Sequence, residues 1–95
     1  YIPGTFAKTP EVVALAKVAA RYKGVYASHI RNEGDQVTDA VNEAINIGRE
    51  AKIPVEISHF KVTYKPNWGR SVETLALVEQ ARLQGLDVTI DQYPY

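Results

Sequence analysis

The chain has 95 residues, 45% hydrophobic and 23% charged, a balance that supports a packed core and excludes an intrinsically disordered segment. Eleven lysines and arginines offset eleven aspartates and glutamates and no basic run appears, so no net field is available to hold nucleic acid or an anionic membrane. Cysteine is absent, which removes disulfides and thiolate metal ligation, and no apolar run approaches the ~20 residues of a bilayer span. No signal-peptide pattern follows Tyr1, so a cytoplasmic location is expected. The ends, Tyr1-Ile2-Pro3-Gly4 and Tyr93-Pro94-Tyr95, read as an excerpt from a longer chain.

Helix and strand signals then alternate. Thr9-Pro10-Glu11 marks a helix start: Thr9 can cap, proline suits the first turn and Glu11 favours the positive end of the dipole. Val12, Leu15, Ala16 and Ala19 recur at helical spacing, and Lys23-Gly24 stops the helix with Gly24 as left-handed cap. A strand is expected over 25–30. The polar break Arg31–Asp35 offers Asp35 as a cap for a second helix, whose stripe is Val37, Ala40, Val41, Ala44, Gly48 and Ala51. Pro54 bars its continuation, and a second strand is expected over 55–60. A longer loop, Val62–Gly69, carries the only tryptophan, Trp68. Ser71 can cap a third helix with Val72, Leu75, Val78 and Ala81 inward and a stop near Gly85; Val88–Asp91 is the third strand.

Strands joined through helices lie parallel. A repeat of ~30 residues taken eight times approaches the usual (β/α)8 size, so the expected fold class is α/β: a partial TIM barrel, one fragment over residues 1–95 with about three parallel strands and three helices. A doubly wound sheet would accept the same crossovers, but no Gly-rich phosphate turn follows any strand.

Two segments share a pattern: Val25-Tyr26-Ala27-Ser28-His29-Ile30-Arg31 and Val55-Glu56-Ile57-Ser58-His59-Phe60-Lys61. The histidines stand 30 residues apart, each at a strand's carboxyl end, where working residues of parallel α/β proteins gather. Counting back by two puts Ala27 on the face of His29 and Ile57 on that of His59, so both imidazoles would point at a barrel axis and converge on one metal ion, while Glu56 would point to the helices and form a structural ion pair. Asp91 falls at the same level and either joins the site or caps a turn. Arg31, Lys61 and Tyr93 lie two residues further on, at the rim, where a substrate's charged group would arrive; Arg31 and Lys61 also read as solvated loop charges. A lone histidine at a strand end is ordinarily structural; two in matched settings give the ligand reading equal standing. Tyr64 and Trp68 read as loop packing, and Asp39, Glu43 and Arg49 as the wet face of the second helix.

Together, Tyr1-Ile2-Pro3-Gly4, Ser28-His29-Ile30-Arg31-Asn32-Glu33, Ile57-Ser58-His59-Phe60-Lys61, Asn67-Trp68-Gly69 and Asp91-Gln92-Tyr93-Pro94-Tyr95 resemble the N-acyl-D-amino-acid deacylases (D-aminoacylases) of the amidohydrolase superfamily. The resemblance covers the whole chain. It implies a zinc enzyme that hydrolyses N-acyl-D-amino acids to a carboxylate and a D-amino acid, and a distorted barrel of which this chain is the middle, around strands five to seven. It implies His29 and His59 as metal ligands, and Tyr1, Lys61 and Tyr93 as substrate-binding residues, the last two on the α-carboxylate. The family's His-x-His, its third metal ligand and its acid/base aspartate have no counterpart in these residues. The chain alone is therefore expected to be inactive, to bind zinc weakly and to self-associate. Two other readings fit the residues: a fragment of a cyclic-amide amidohydrolase of dihydroorotase or hydantoinase type, and a non-catalytic α/β binding module whose histidines are structural.

Overall fold

Three strands of three residues each form the sheet: β1 (Tyr26–Ser28), β2 (Val55–Ile57) and β3 (Val88–Ile90). They run parallel in the order β1-β2-β3, joined through α2 (Val37–Ala51) and α3 (Ser71–Leu83), with α1 (Thr9–Arg21) preceding β1. The structure, a computed structural model, describes residues 1–95. No helix is long and apolar enough to cross a membrane.

The register decides which side chains meet the helices. Tyr26, Val55 and Val88 share one rung, Ala27, Glu56 and Thr89 the next, and Ser28, Ile57 and Ile90 the third. Val55, Ile57 and Val88 are buried with Val37 and Val41 of α2 and Val78 of α3, so α2 and α3 cover this face. Successive residues point to opposite faces, which leaves Ala27, Glu56 and Thr89 on the open one. The face expected for Ile57 is thus reversed. Glu56 does not turn to the helices or form an ion pair there; it accepts a hydrogen bond from the Thr89 hydroxyl across the open face. The strands are also shorter than the expected 25–30 and 55–60; β2 ends where the chain turns away at Ser58-His59, with His59 at φ +39°.

The α2 stripe packs as its spacing predicts: Val37, Ala40, Val41, Ala44, Gly48 and Ala51 are all buried. A Cβ on Gly48 would overlap Cγ2 of Val55, so glycine lets this helix lie directly on β2. The other two helices are rotated from expectation. In α1, Val13 and Ala16 are buried against Ile47, Ala51 and Ile53, while Leu15 is exposed, because α1 packs beside α2. In α3 the inward residues are Thr74, Val78 and Ala81; Val72 and Leu75 are exposed.

None of the three expected caps caps its helix. The Thr9 hydroxyl donates to Glu43, and Glu11 instead accepts the Lys8 backbone N–H at 2.6 Å. Asp35 accepts from Asn67 Nδ2, and Asn32 Oδ1 takes the Gly34 and Gln36 N–H groups ahead of α2. Ser71 is the first residue of α3, with Arg70 before it and no side-chain cap. Lys23, not Gly24, takes the left-handed conformation after α1, and Gly85 takes it near the end of α3. Trp68 is exposed rather than packed, and Tyr64 is exposed except where its ring lies over Gly34; the buried residue of their loop is Asn67.

Candidate metal centre

Chain geometry at the carboxyl ends of β1 and β2 brings the two histidines together. His29 follows β1 directly, whereas His59 lies two residues beyond β2. The left-handed backbone at His59 takes up the difference. Asp91, just past β3, holds that turn: its Oδ1 accepts the His59 N–H at 2.6 Å, its carbonyl accepts the Phe60 N–H at 2.9 Å, and its own N–H donates to the Ile57 carbonyl at 3.2 Å. Asp91 therefore has the turn-capping role, from the neighbouring strand. As a result Nδ1 of His29 and Nε2 of His59 face each other in direct contact, with ring centroids 4.4 Å apart and 25° between planes.

Around this pair the remaining expected site residues assemble. Tyr1 meets His29 edge-on, with centroids 4.8 Å apart. Tyr93 stacks on His59 at 5.9 Å, and the Lys61 ammonium lies 5.3 Å from the Tyr93 ring centroid, a cation–π arrangement. Lys61 Nζ also donates to the His59 carbonyl at 3.1 Å. A hollow of about 310 Å³ opens between Tyr1, His29, Glu33, His59 and Tyr64. Tyr1, His29, His59, Lys61 and Tyr93 thus form one cluster, the last four from beyond the ends of three strands and Tyr1 from the segment ahead of α1.

Two side chains depart from expectation. Arg31 turns away from the cluster. Its Nε and Nη2 donate to the two carboxylate oxygens of Glu43, each at 2.9 Å, and its remaining contacts reach the carbonyls of Thr5 and Ala7 at 2.8 and 3.0 Å. The Arg31 hydrogen bonds hold the Glu43 carboxyl below its usual range, against the opposing effect of burial and with help from Thr9. The same bonds raise the Arg31 guanidinium. Glu43 is accordingly not part of a free wet face. The residue that sequence reasoning missed is Glu33, whose Oε1 lies 3.0 Å from both His59 Nδ1 and Lys61 Nζ. Its place four residues past His29, in the segment Ser28–Glu33 that carries part of the family resemblance, is the only sequence signal for it.

The donor set fits a zinc ion in part. Zinc accepts neutral imidazoles, and these two nitrogens make half of a tetrahedral shell. No third histidine, cysteine or carboxylate joins them, since no group of three potential ligands forms.

No family model matches the chain. Curated relatives do. A D-aminoacylase and an N-acyl-D-glutamate deacylase, both of Alcaligenes xylosoxydans xylosoxydans, are 44% and 45% identical over all 95 residues, which span 19% and 20% of those proteins. Among solved structures, an N-acyl-D-glutamate deacylase from Bordetella bronchiseptica, complexed with zinc and a phosphonate that mimics the tetrahedral intermediate, superposes with a TM-score of 0.95 at 46% identity. A D-aminoacylase described as defining a novel subset of amidohydrolases gives 0.93, also at 46%. Each match covers the whole chain and 20% of the solved one. The chain is homologous, from Tyr1 to Tyr95, to about one fifth of the D-aminoacylases and N-acyl-D-amino-acid deacylases.

Proposed function

We propose that this chain is part of the barrel of a zinc-dependent amidohydrolase that hydrolyses N-acyl-D-amino acids to a carboxylate and a D-amino acid. The observation that carries the proposal is the convergence of His29 Nδ1 and His59 Nε2 at the ends of adjacent parallel strands, with Lys61 and Tyr93 beside them. Support for the barrel comes from the parallel order and from helices α2 and α3 on one face, which would leave the face of Ala27, Glu56 and Thr89 inward. The chain would then supply strands around the fifth to seventh. Supporting zinc, the related N-acyl-D-glutamate deacylase was solved with zinc, and a related D-aminoacylase carries a binuclear metal centre.

In this reading His29 and His59 hold the metal through the facing nitrogens, and the remaining ligands and the acid/base group lie elsewhere in a longer chain. Zinc, when bound, would supply a water of pKa ~7 and polarise a carbonyl. Lys61 and Tyr93 bind the substrate's α-carboxylate. A lysine ammonium has three donors; Glu33 and the His59 carbonyl take two of them, and with the His59 ring proton on Nδ1 the third is left for the substrate. Tyr1 borders the pocket beyond His29 and limits how the amide lies. Fixing the carboxylate orients the scissile amide relative to the histidine pair, a positional contribution to rate. The chain by itself is inert, and its open sheet face and edges favour self-association.

The test is an assay of the full-length enzyme with N-acyl-D- and N-acyl-L-amino acids, before and after chelation. D-selective release of amino acid, lost on chelation and restored by zinc, is expected. Full activity after chelation, with no metal retained, would refute the proposal.

A further inference from the structure

Three atoms form a tight triangle behind the histidine pair. Glu33 Oε1 lies 3.0 Å from His59 Nδ1 and 3.0 Å from Lys61 Nζ, and the two nitrogens are 2.8 Å apart. A neutral imidazole carries one proton, so Nδ1 is either a donor or an acceptor, and the choice fixes the state of Nε2. An ammonium can only donate. Hence two arrangements compete. If Lys61 donates to Nδ1, the ring proton sits on Nε2, and the nitrogen facing His29 has no lone pair to offer. If Nδ1 carries the proton and donates to Glu33, Nε2 presents its lone pair toward His29 Nδ1.

We propose that Glu33 is the positioning residue that selects the second arrangement. It is the acceptor shared by His59 and Lys61, and it turns the lysine's donor away from the ring. Nζ also donates to the His59 carbonyl at 3.1 Å, and the 2.8 Å between Nζ and Nδ1 is then a contact of two donors held together by the carboxylate oxygen they share. Glu33 is itself pinned. Its carbonyl accepts the Thr63 N–H at 2.8 Å, which ties the loop after β1 to the loop after β2. The neighbouring Gly34 packs so closely under the Tyr64 ring that a Cβ there would come within 2.9 Å of it. The side chains of His59 and Glu33 are largely withdrawn from solvent, 13% and 21% exposed, so water competes weakly for the Nδ1 proton. A carboxylate that fixes the tautomer of a ligating histidine also raises its basicity. The consequence for zinc affinity rests on the metal reading above; the tautomer assignment does not.

The experiment uses the 15N-labelled chain at a pH where both rings are neutral, and reads the tautomer of His59 from long-range proton–nitrogen correlations. The expected result is a protonated Nδ1 and a lone pair on Nε2. Glu33→Ala moves the proton to Nε2, Glu33→Gln, which keeps an acceptor oxygen, retains it on Nδ1, and Lys61→Met added to Glu33→Ala restores part of the Nδ1-protonated population. Titration with zinc alone, followed on His59, weakens about 10- to 100-fold in Glu33→Ala. A wild-type ring protonated on Nε2, or a tautomer unchanged by Glu33→Ala, overturns the inference. If Glu33→Ala does not fold, the wild-type tautomer and its retention in Glu33→Gln decide. A protonated Nδ1 with no zinc response at either histidine leaves the role of Glu33 standing and removes the metal reading; a zinc response at both with Nε2 protonated does the reverse.

Discussion

His59 sits at φ +39°, a backbone conformation that a residue with a Cβ adopts at a cost, and Asp91 offsets that cost by accepting its N–H. That one turn aims Nε2 at His29 and leaves Nδ1 to Glu33 and Lys61, so the geometry of the cluster hangs on it. In a full-length enzyme, His29→Ala or His59→Ala should abolish deacylation, whereas Lys61→Ala should chiefly raise KM. Lysine would hold the carboxylate in ground and transition states alike, and losing a charged hydrogen bond of this kind costs about 2–3 kcal/mol. Steady-state kinetics with an N-acyl-D-amino acid separate the two outcomes; an unchanged KM in Lys61→Ala would remove its binding role. The Arg31–Glu43 pair gives a pH prediction. The folded-state pKa of Glu43 is lowered, so the pair contributes stability above the carboxyl's unfolded pKa and loses it as pH falls through the folded value. Tm measured across the acidic range should fall more gently in Glu43→Gln than in wild type; parallel curves would show that the pair carries no linkage. The Ser-His pairs, Lys61 and Tyr93 were legible in the sequence because their spacing follows strand ends, whereas Tyr1, which follows no strand of this chain, was legible only through the family resemblance. Glu33 was not, because its partners lie 26 and 28 residues further along the chain and meet it only once β1 and β2 pair.

At the level of elements, α2 is where sequence and structure agree best, and the reason is its surroundings. It packs against α1 on one side, α3 on the other and β2 beneath, so an apolar stripe at helical spacing has one place to go. The outer helices meet fewer neighbours, and their apolar residues divide between core and surface: Leu15 and Leu75 satisfy the periodicity yet face outward. Strand faces were misread for a related reason. Alternation holds only while the backbone stays extended, and the left-handed turn at His59 breaks the count between the histidine and Ile57. Nothing in the residue letters signals that turn, since histidine is not glycine. Contact between α2 and β2 supplies a stability prediction. Gly48→Ala would drive a methyl into Val55 Cγ2, with the Ile53 carbonyl 3.2 Å away on another side, so neither neighbour can yield freely. Overpacking of this kind costs about 1–3 kcal/mol, more than the helix-propensity gain of alanine over glycine, at ~1 kcal/mol. Urea denaturation should place the midpoint of Gly48→Ala below wild type; a midpoint raised by the substitution would mean that the helix stands off the strand.

For the whole molecule, 20 of 95 residues are buried, a thin core for a sheet covered on one face. Both edge strands, β1 and β3, lack an outer partner, and Val25 beside β1 is 58% exposed. Unpaired edges and an uncovered face promote pairing with another chain. Ile57, expected on that open face, is buried under the helices together with Val55 and Val88, so the strand edges carry more of the expected self-association than the face does. Sedimentation of the 95-residue chain across a dilution series should reveal reversible association; a monomer at all concentrations would overturn this. One further consequence lies in the ladder itself. The motifs align Ser28 with Ser58, but the sheet pairs Ser28 with Ile57. A chimaera that exchanged residues 25–31 with 55–61 letter for letter would therefore put a glutamate at position 26, where Tyr26 packs against both core clusters, and an alanine at position 57, where Ile57 is fully buried. Far-ultraviolet circular dichroism should find such a chimaera unfolded. The two segments speak alike at the rim and differ one rung below it, and they are not interchangeable parts.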